Sequence, residues 1–173
     1  RTMTARPPVA PYLTVSPAAG AIAFYTAAFD AKQKALMPAL DGLRILHCEL
    51  EINGGALFLS DAFPEFGTAR TPLPGEPVTM SVSLEFATAE EVDEVFTRAT
   101  KLGAKGEVTP TYSFWGTRTA ILRDPFGHRW IMNGPLNQQK AQPNPLRKQK
   151  SAVMNRAFYS NHKTPRDQAP EAA

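Results

Sequence analysis

The sequence of 173 residues has little of several features that would place it in a specialised class. It contains one cysteine, Cys48, which excludes a disulfide framework within the chain, and the apolar pattern around it indicates a buried thiol. No apolar run approaches the roughly 18 residues that a membrane-spanning helix needs, and no secretory leader opens the sequence. We therefore expect a soluble chain with one core, cytoplasmic or, after removal of a leader ahead of Arg1, in the mitochondrial matrix.

Positive charge is concentrated at one end of the chain. Of the 19 basic and 16 acidic residues, seven basic residues but only two acidic residues lie beyond Leu136. The residues up to Leu136 are mildly acidic as a group, so the excess of basic residues belongs to the end of the sequence. We therefore interpret residues 7–136 as a folded body and residues 137–173 as a basic C-terminal extension.

Hydrophobic periodicity predicts five elements in the first half of the body. The run VAPYLTV is typical of a strand that ends at Ser16-Pro17, and apolar residues then recur at helical spacing. Asn53-Gly54-Gly55, between two alternating apolar runs, is a strong hairpin signal. The pattern predicts a strand at 9–15, a helix at 18–29 and strands at about 33–37, 44–52 and 56–60.

The same order of elements recurs about seventy residues later, after a linker rich in proline and glycine at 64–77. Thr88 and Glu91 form a capping-box pattern at the start of the second helix, and Gly103 is its stop signal. Asn53 of the first copy corresponds to Asp124 of the second. This copy predicts a strand at 78–86, a helix at 89–102 and strands near 106–109, 117–123 and 128–133.

Four strings in the right order at the right intervals carry a family resemblance: PYLTV, AIAFYTAAF, RILHCELEINGGALFLSD and FWGTRTAILRDPFGHRW. The sequence resembles the PhnB-like branch of the vicinal-oxygen-chelate superfamily, which includes glyoxalases, bleomycin resistance proteins and dioxygenases. The resemblance covers about residues 7–136 and departs at Asp30, where the family usually has Gly. It implies an α+β fold of two βαβββ modules, about 7–63 and 77–136, whose sheets form a curled mixed sheet around a cavity. Many members are dimers.

Alternation along the strands predicts which side chains face that cavity. Leu46, Cys48, Leu50 and Ile52 form the helix-facing set, which leaves His47 and Glu49 on the other side. The internal repeat maps His47 onto Arg118 and so predicts that these two residues face each other across the cavity. The predicted ligand-binding residues are Tyr12, His47, Glu49, Ser81, Ser83, Trp115 and Arg118.

Several roles stay open for these residues. His47 is a candidate for a general base, and with Glu49 it could instead form a hydrogen-bonded pair or the start of a metal site. An inward Arg118 must pair with Glu49 or Glu85, or hold an anionic ligand, because an unpaired buried charge is costly. Trp115 either covers the cavity or plugs one end of it.

The resemblance implies that metal ligands come from the first and last strand of each module. None of the residues at those positions is His, Glu or Gln, the usual ligands. We therefore expect no cofactor and no divalent metal, and neither a metal-dependent lyase nor a dioxygenase. The positions are Ala10, Leu59, Ser81 and Ile131.

The C-terminal extension contains a short predicted helix that begins at Asn144-Pro145, with apolar residues along one stripe and basic residues opposite. It could meet an acidic protein, a membrane face or, through this extension only, nucleic acid. Its predicted docking residues are Leu146, Arg147, Lys148, Lys150, Met154, Arg156, Phe158 and Tyr159.

Two functions of different kinds follow from the sequence. In the first, the protein binds a small organic ligand in its cavity as a binding protein or enzyme, alone or as a homodimer. In the second, the fold is a scaffold of the pseudoenzyme type. The protein would then be a non-catalytic accessory subunit of a large protein assembly, organellar or not, docked through the basic extension.

Overall fold

The structure, a computed structural model, describes residues 7–67 and 69–135. The first module contains β1 (Tyr12–Val15), α1 (Ala18–Phe29), β2 (Lys32–Pro38), β3 (Ile45–Ile52) and β4 (Gly55–Asp61), followed by a 3-10 turn (Pro64–Phe66). The second module contains β5 (Ser81–Glu85), α2 (Ala89–Lys101), β6 (Lys105–Tyr112), β7 (Thr117–Arg123) and β8 (Arg129–Pro135). The predicted order of elements and the α+β fold of two βαβββ modules are confirmed.

Each module forms its own four-stranded mixed sheet. The strand orders are β1-β4-β3-β2 and β5-β8-β7-β6. The first strand of each module pairs in parallel with the fourth, and the other pairs are antiparallel. The predicted hairpin at Asn53-Gly54 joins β3 to β4, with both residues at positive φ.

The two helices begin in different ways. Thr88 and Glu91 form the predicted capping box of α2, with the Thr88 hydroxyl accepting from the Glu91 backbone N–H. Pro17, the residue before α1, makes no capping hydrogen bond with its side chain. The buried Asp61, at the end of β4, caps the helix instead. Its Oδ1 accepts from the Ala18 backbone N–H at 2.8 Å, next to the positive end of the helix.

The C-terminal end of α1 explains the departure from the family's glycine. Asp30 has φ 55° and ψ 35°, a left-handed conformation that Asp adopts more readily than most residues. Its carboxylate accepts from Arg98 of α2, and the same guanidinium donates to the Ala28 carbonyl at 2.9 Å. A side chain at this position therefore joins the two helices, which glycine could not do.

The modules are held together on the helix side of the sheets. The Trp130 ring lies 4.6 Å from the Phe29 ring and 5.2 Å from the Tyr25 ring, measured between centroids. The buried Asp124 accepts from the Tyr25 hydroxyl at 2.6 Å and from Trp130 Nε1 at 2.8 Å. His128 Nε2 makes a 3.0 Å hydrogen bond with the Thr14 carbonyl. These contacts make one core from two modules.

Within the described residues, neither helix has the length and apolar character needed to cross a membrane. The buried thiol of Cys48 lies in the core, as expected. Burial, together with the charge of Glu49, raises the pKa of that thiol to about 11.

Candidate ligand site on the first sheet

Strand pairing defines the open face of each sheet, which is the side opposite its helix. Directly paired residues point to the same side of a sheet. His47 pairs with Met37, Glu49 pairs with Phe58, and Phe58 pairs with Tyr12. The structure therefore places Tyr12, His47 and Glu49 together on the open face of the first sheet.

These three residues form a hydrogen-bonded row. The Tyr12 hydroxyl lies 2.9 Å from His47 Nδ1, and His47 Nε2 lies 3.2 Å from Glu49 Oε1. The His47 and Glu49 side chains are 20% and 19% exposed, whereas Tyr12 is 49% exposed. The Phe58 ring packs edge-on against both Tyr12 and His47. The row thus runs from a half-buried carboxylate to a hydroxyl that reaches solvent.

Tyr12 also lines a cleft of about 450 Å³ beside the row. A volume of this size lies within the range of roughly 300–1,000 Å³ that is usual for small-molecule pockets. The lining combines three hydroxyl-bearing side chains with aromatic and aliphatic surface, and it includes Leu46, which the sequence placed on the helix side. Besides Tyr12, the lining residues are Thr14, Leu46, Ser60, Phe63, Phe66 and Ala69.

Arg44 holds the aromatic wall of this cleft in place. Its guanidinium lies 4.2 Å from the centroid of the Phe63 ring and donates to Glu65 at 2.6 Å. Asp41 accepts from the same guanidinium at 2.6 Å. The backbone N–H of Arg44, first among several donors, lowers the pKa of the Asp41 carboxyl to about 2. The charged cluster thus connects the β2–β3 turn to the segment that carries Phe63 and Phe66.

The open face of the second sheet carries a different polar network. The Ser83 hydroxyl and Asn133 Nδ2 both donate to Glu85 Oε1, at 2.8 and 2.9 Å, and Thr119 donates to Asn133 Oδ1 at 2.9 Å. Ser81 Oγ lies 3.0 Å from Arg129 Nη1. The hydroxyls of Ser81 and Ser83 are therefore engaged within their own sheet.

The predicted orientation of Arg118 is wrong. Its side chain lies on the helix side of the second sheet, with the buried Ala120 and Leu122, and not opposite His47. The guanidinium donates to Asp93 of α2 at 2.9 and 3.0 Å and lies 4.6 Å from the centroid of the Tyr112 ring. An acidic side chain does neutralise it, as expected, but that residue is Asp93 rather than Glu49 or Glu85.

A difference between the two hairpins explains this error. In the first module the buried Ile52 directly precedes the turn at Asn53. In the second module Arg123 stands between the buried Leu122 and the turn at Asp124. Matching Asn53 to Asp124 therefore aligns the strands out of phase by one residue, which exchanges the two faces of the sheet.

The match to a known family covers both modules. The family model described as the Glyoxalase/Bleomycin resistance protein/Dioxygenase superfamily matches residues 7–132. The chain belongs to this superfamily. Curated proteins that resemble it include an uncharacterized protein of Mycobacterium bovis and one of Mycobacterium tuberculosis, each 38% identical over 136 residues. The match covers 76% of this chain, with 86% of the first relative and 76% of the second.

Several solved structures show the same fold at low sequence identity. A Pseudomonas aeruginosa protein is 22% identical, has a TM-score of 0.61, and is matched over 76% of this chain and 100% of its own. A PhnB protein of Bacillus cereus is 19% identical with a TM-score of 0.59, over 74% and 99%. The fosfomycin resistance protein FosX of Listeria monocytogenes is 14% identical with a TM-score of 0.57, over 80% and 100%.

The sequence alignment placed one of the superfamily's metal positions, Leu59, on the wrong face of its sheet. Leu59 is fully buried and pairs with Cys48, so it faces the helix and not the open face. Ile131 does lie on the open face, paired with Ser83. The open-face neighbours of Leu59 are Phe58 and Ser60, and an aromatic ring and one hydroxyl are poor ligands. Within residues 7–67 and 69–135, no three His, Cys, Asp or Glu side chains are grouped so as to hold a metal ion.

The remaining predicted residues lie elsewhere or outside the described chain. Trp115 is 61% exposed in the β6–β7 turn, edge-on to Phe114, so it does not plug a barrel end within this chain. The predicted docking residues of the extension lie outside the described residues. They are Leu146, Arg147, Lys148, Lys150, Met154, Arg156, Phe158 and Tyr159.

Sequence reasoning missed several residues of the site, among them Phe58, Ser60, Phe63 and Phe66. Phe58 and Ser60 alternate with the buried Leu57 and Leu59, so strand parity could have placed them on the open face. Phe63 and Phe66 follow β4 in a segment without periodicity, where no sequence signal indicates which way a ring points.

Proposed function

We propose that this superfamily member binds a small organic molecule on the open face of its first sheet, without a divalent metal. The observation that carries the proposal is the Tyr12–His47–Glu49 row beside a cleft of about 450 Å³. Pockets of this kind combine apolar walls with a few polar groups that orient the ligand. The molecule we expect has a compact aromatic or aliphatic body and one oxygen that bonds to Tyr12.

We propose no metal because the open face of the first sheet offers too few ligand atoms that could converge on one ion. A divalent ion needs several nitrogen, oxygen or sulfur ligands that converge at about 2.0–2.6 Å. His47 and Glu49 supply two such groups, but their cross-strand neighbours on the face are Met37, Ala35 and Phe58, and the next carboxylate, Glu51, is paired with Lys34. We therefore assign ligand orientation to hydrogen bonds rather than to coordination.

Binding is tested with 4-nitrophenol and acetophenone by saturation-transfer NMR and calorimetric titration. Phe66→Ala removes an exposed ring from the cleft wall, and Phe114→Ala removes an equally exposed ring from the second module. We expect Phe66→Ala to weaken binding about fivefold, because loss of a partial ring contact costs about 1 kcal/mol. Phe114→Ala should bind like the wild type. Equal effects of the two variants, or no saturable binding, would contradict the proposal.

The accessory-subunit function and the homodimer remain predictions from the sequence. The feature that favours docking is the excess of basic residues beyond Leu136, which follows a mildly acidic body. Removal of residues 137–173 tests both ideas. Sedimentation compares the oligomeric state of the full and shortened chains, and ligand binding should be the same in both if the first sheet alone holds the site.

A further inference from the structure

We propose that Tyr12 is an activated nucleophile whose oxygen takes up a sulfonyl or phosphoryl group from an uncharged compound in the cleft. His47 is the base of this reaction, and Glu49 is a positioning residue. The inference rests on the proposed function, because it takes the same cleft as the place where the molecule binds. It adds a covalent step and names the class of compound that undergoes it.

The Tyr12–His47–Glu49 row has the arrangement of an activated nucleophile, because a base lies within hydrogen-bond reach of the hydroxyl and a third group orients that base. A carboxylate oxygen only accepts, so the 3.2 Å contact with Glu49 Oε1 places the proton of the neutral His47 ring on Nε2. Nδ1 is then an acceptor, and the Tyr12 O–H donates to it across 2.9 Å. The phenol proton is therefore directed at a base before any electrophile binds.

The nucleophilic end of the row is the end that reaches the cleft. Tyr12 lines the cleft and is 49% exposed, whereas the side chains of His47 and Glu49 are 20% and 19% exposed. Phe58 packs edge-on against the imidazole and limits its contact with water. An electrophile in the cleft therefore meets the Tyr12 oxygen before it meets the base.

Two further hydroxyls in the cleft are free to bind a molecule. Thr14 and Ser60 pair directly across β1 and β4, and both line the cleft. The two residues are only 8% and 7% exposed. Across the part of the chain that the structure describes, no hydrogen bond engages either hydroxyl, and both oxygens stay accessible. Buried polar groups normally have partners, so this pair is suited to donate to a bound molecule.

The lining of the cleft favours an uncharged molecule with oxo groups. None of the seven described residues that line it carries a charge, and three of them are aromatic. A charged ligand would lose its hydration there without gaining a counter-ion. Sulfonyl compounds and phosphate triesters are uncharged, and their oxo atoms accept hydrogen bonds from Thr14 and Ser60. Negative charge grows on those atoms as the Tyr12 oxygen attacks, and the two hydroxyls stabilise it there.

The covalent step needs only the electrophile and the three residues of the row. The Tyr12 oxygen forms a bond with sulfur or phosphorus, and the leaving group departs with the electron pair of its own bond. The phenol proton passes to His47 Nδ1, which makes the ring an imidazolium, and the Glu49 carboxylate neutralises that charge. The imidazolium then gives its proton to solvent. The product is a sulfonate or phosphate ester of Tyr12.

The first experiment treats the full chain with phenylmethanesulfonyl fluoride, an uncharged aromatic sulfonyl compound. Mass spectrometry of peptides follows the rate of labelling at each tyrosine over a range of reagent concentrations. Tyr112 is the internal reference, because it is more exposed than Tyr12, at 68% against 49%. Assistance by a base contributes roughly 10²–10⁴-fold, so we expect Tyr12 to be labelled about tenfold or more faster than Tyr112, at a rate that saturates.

Variants separate activation of Tyr12 from binding in the cleft. His47→Gln and Glu49→Gln should each lower the maximal rate at Tyr12 about tenfold or more, with the half-saturating concentration and the labelling of Tyr112 unchanged. Phe66→Ala removes part of the cleft wall and should raise the half-saturating concentration about fivefold, with the maximal rate unchanged. A merely structural role of the row would not divide the two quantities in this way.

The second experiment tests the phosphoryl group with diethyl 4-nitrophenyl phosphate. The absorbance of 4-nitrophenolate should show the release of one equivalent per chain, and Tyr12→Phe should abolish this release. Ser60→Ala should slow it, because one of the two hydroxyl donors to the oxo atoms is lost. Release that is the same in Tyr12→Phe as in the wild type would show attack by another group and overturn the phosphoryl reaction.

The possible results separate the covalent step from the binding site. Tyr112 labelled as fast as Tyr12, or labelling of Tyr12 that His47→Gln leaves unchanged, overturns the activation of Tyr12. Saturable binding of 4-nitrophenol would then leave the proposed function standing. Fast, His47-dependent labelling of Tyr12 that never saturates supports the activated nucleophile and counts against the cleft as a binding site, and therefore against the proposed function.

Discussion

We expect substitution of Asp124 to destabilise the junction between the two modules more than any other single substitution there. Its buried carboxylate accepts four hydrogen bonds: from the Tyr25 hydroxyl at 2.6 Å, from Trp130 Nε1 at 2.8 Å, and from the backbone N–H groups of Phe126 and His128 at 2.9 Å. Asp124→Ala leaves two fully buried side-chain donors without an acceptor. Each such donor costs about 1–3 kcal/mol, so the free energy of unfolding should fall by about 4 kcal/mol.

Urea unfolding followed by tryptophan fluorescence measures this loss, because Trp130 is fully buried beside Asp124 whereas Trp115 is exposed. For a chain of this size, the melting temperature should fall by about 10 °C. Tyr25→Phe is the matched control, since it removes one donor and leaves Asp124 with the other three, and it should cost about 1 kcal/mol. A loss under about 1 kcal/mol for Asp124→Ala, or equal losses for both variants, would refute this account of the junction.

Three further predictions concern the core. Gly134→Ala would drive its Cβ into the Thr88 carbonyl oxygen, so thermal unfolding should show a loss of about 2 kcal/mol or more, since overpacked sites typically cost about 1–3 kcal/mol. Cys48, with its pKa raised to about 11 by burial, should react with a disulfide reagent at pH 8 only after unfolding; fast labelling of the native chain would contradict this. Burial, followed by the charge of Asp124, raises the pKa of Tyr25 well above its ordinary value. The folded chain therefore keeps its full stability below the unfolded value of about 10 and loses stability as pH rises above it. Urea unfolding at pH 9 and pH 11 measures this loss, which Tyr25→Phe should reduce.

The order of elements was predictable because local signals and periodicity agree in both modules. Thr88 with Glu91 marks the start of the second helix, and Asn53-Gly54 marks the first hairpin, whatever the rest of the chain does. Alternation then placed His47 and Glu49 on one face, since the buried Cys48 and Leu50 identify the other. These features depend on residues near one another in the sequence.

The parts of the site that were not predictable depend on contacts between distant residues. The partner of Arg118 lies on α2, 25 positions earlier in the chain, and only the packing of α2 on β7 brings Asp93 to it. The Arg44 guanidinium under Phe63 likewise joins a turn to a segment without secondary-structure periodicity. The orientation of Leu59 was missed because an alignment by family position took no account of its pairing with Cys48.

The unequal hairpins mean that the two halves of this duplicated fold are not interchangeable parts. A chain assembled from two first halves would display the tyrosine, histidine and glutamate twice, while a chain assembled from two second halves would display none of them. The open face of β7 carries Thr119 and Ile121, whereas that of β3 carries His47 and Glu49, so strand composition determines which half carries a reactive surface.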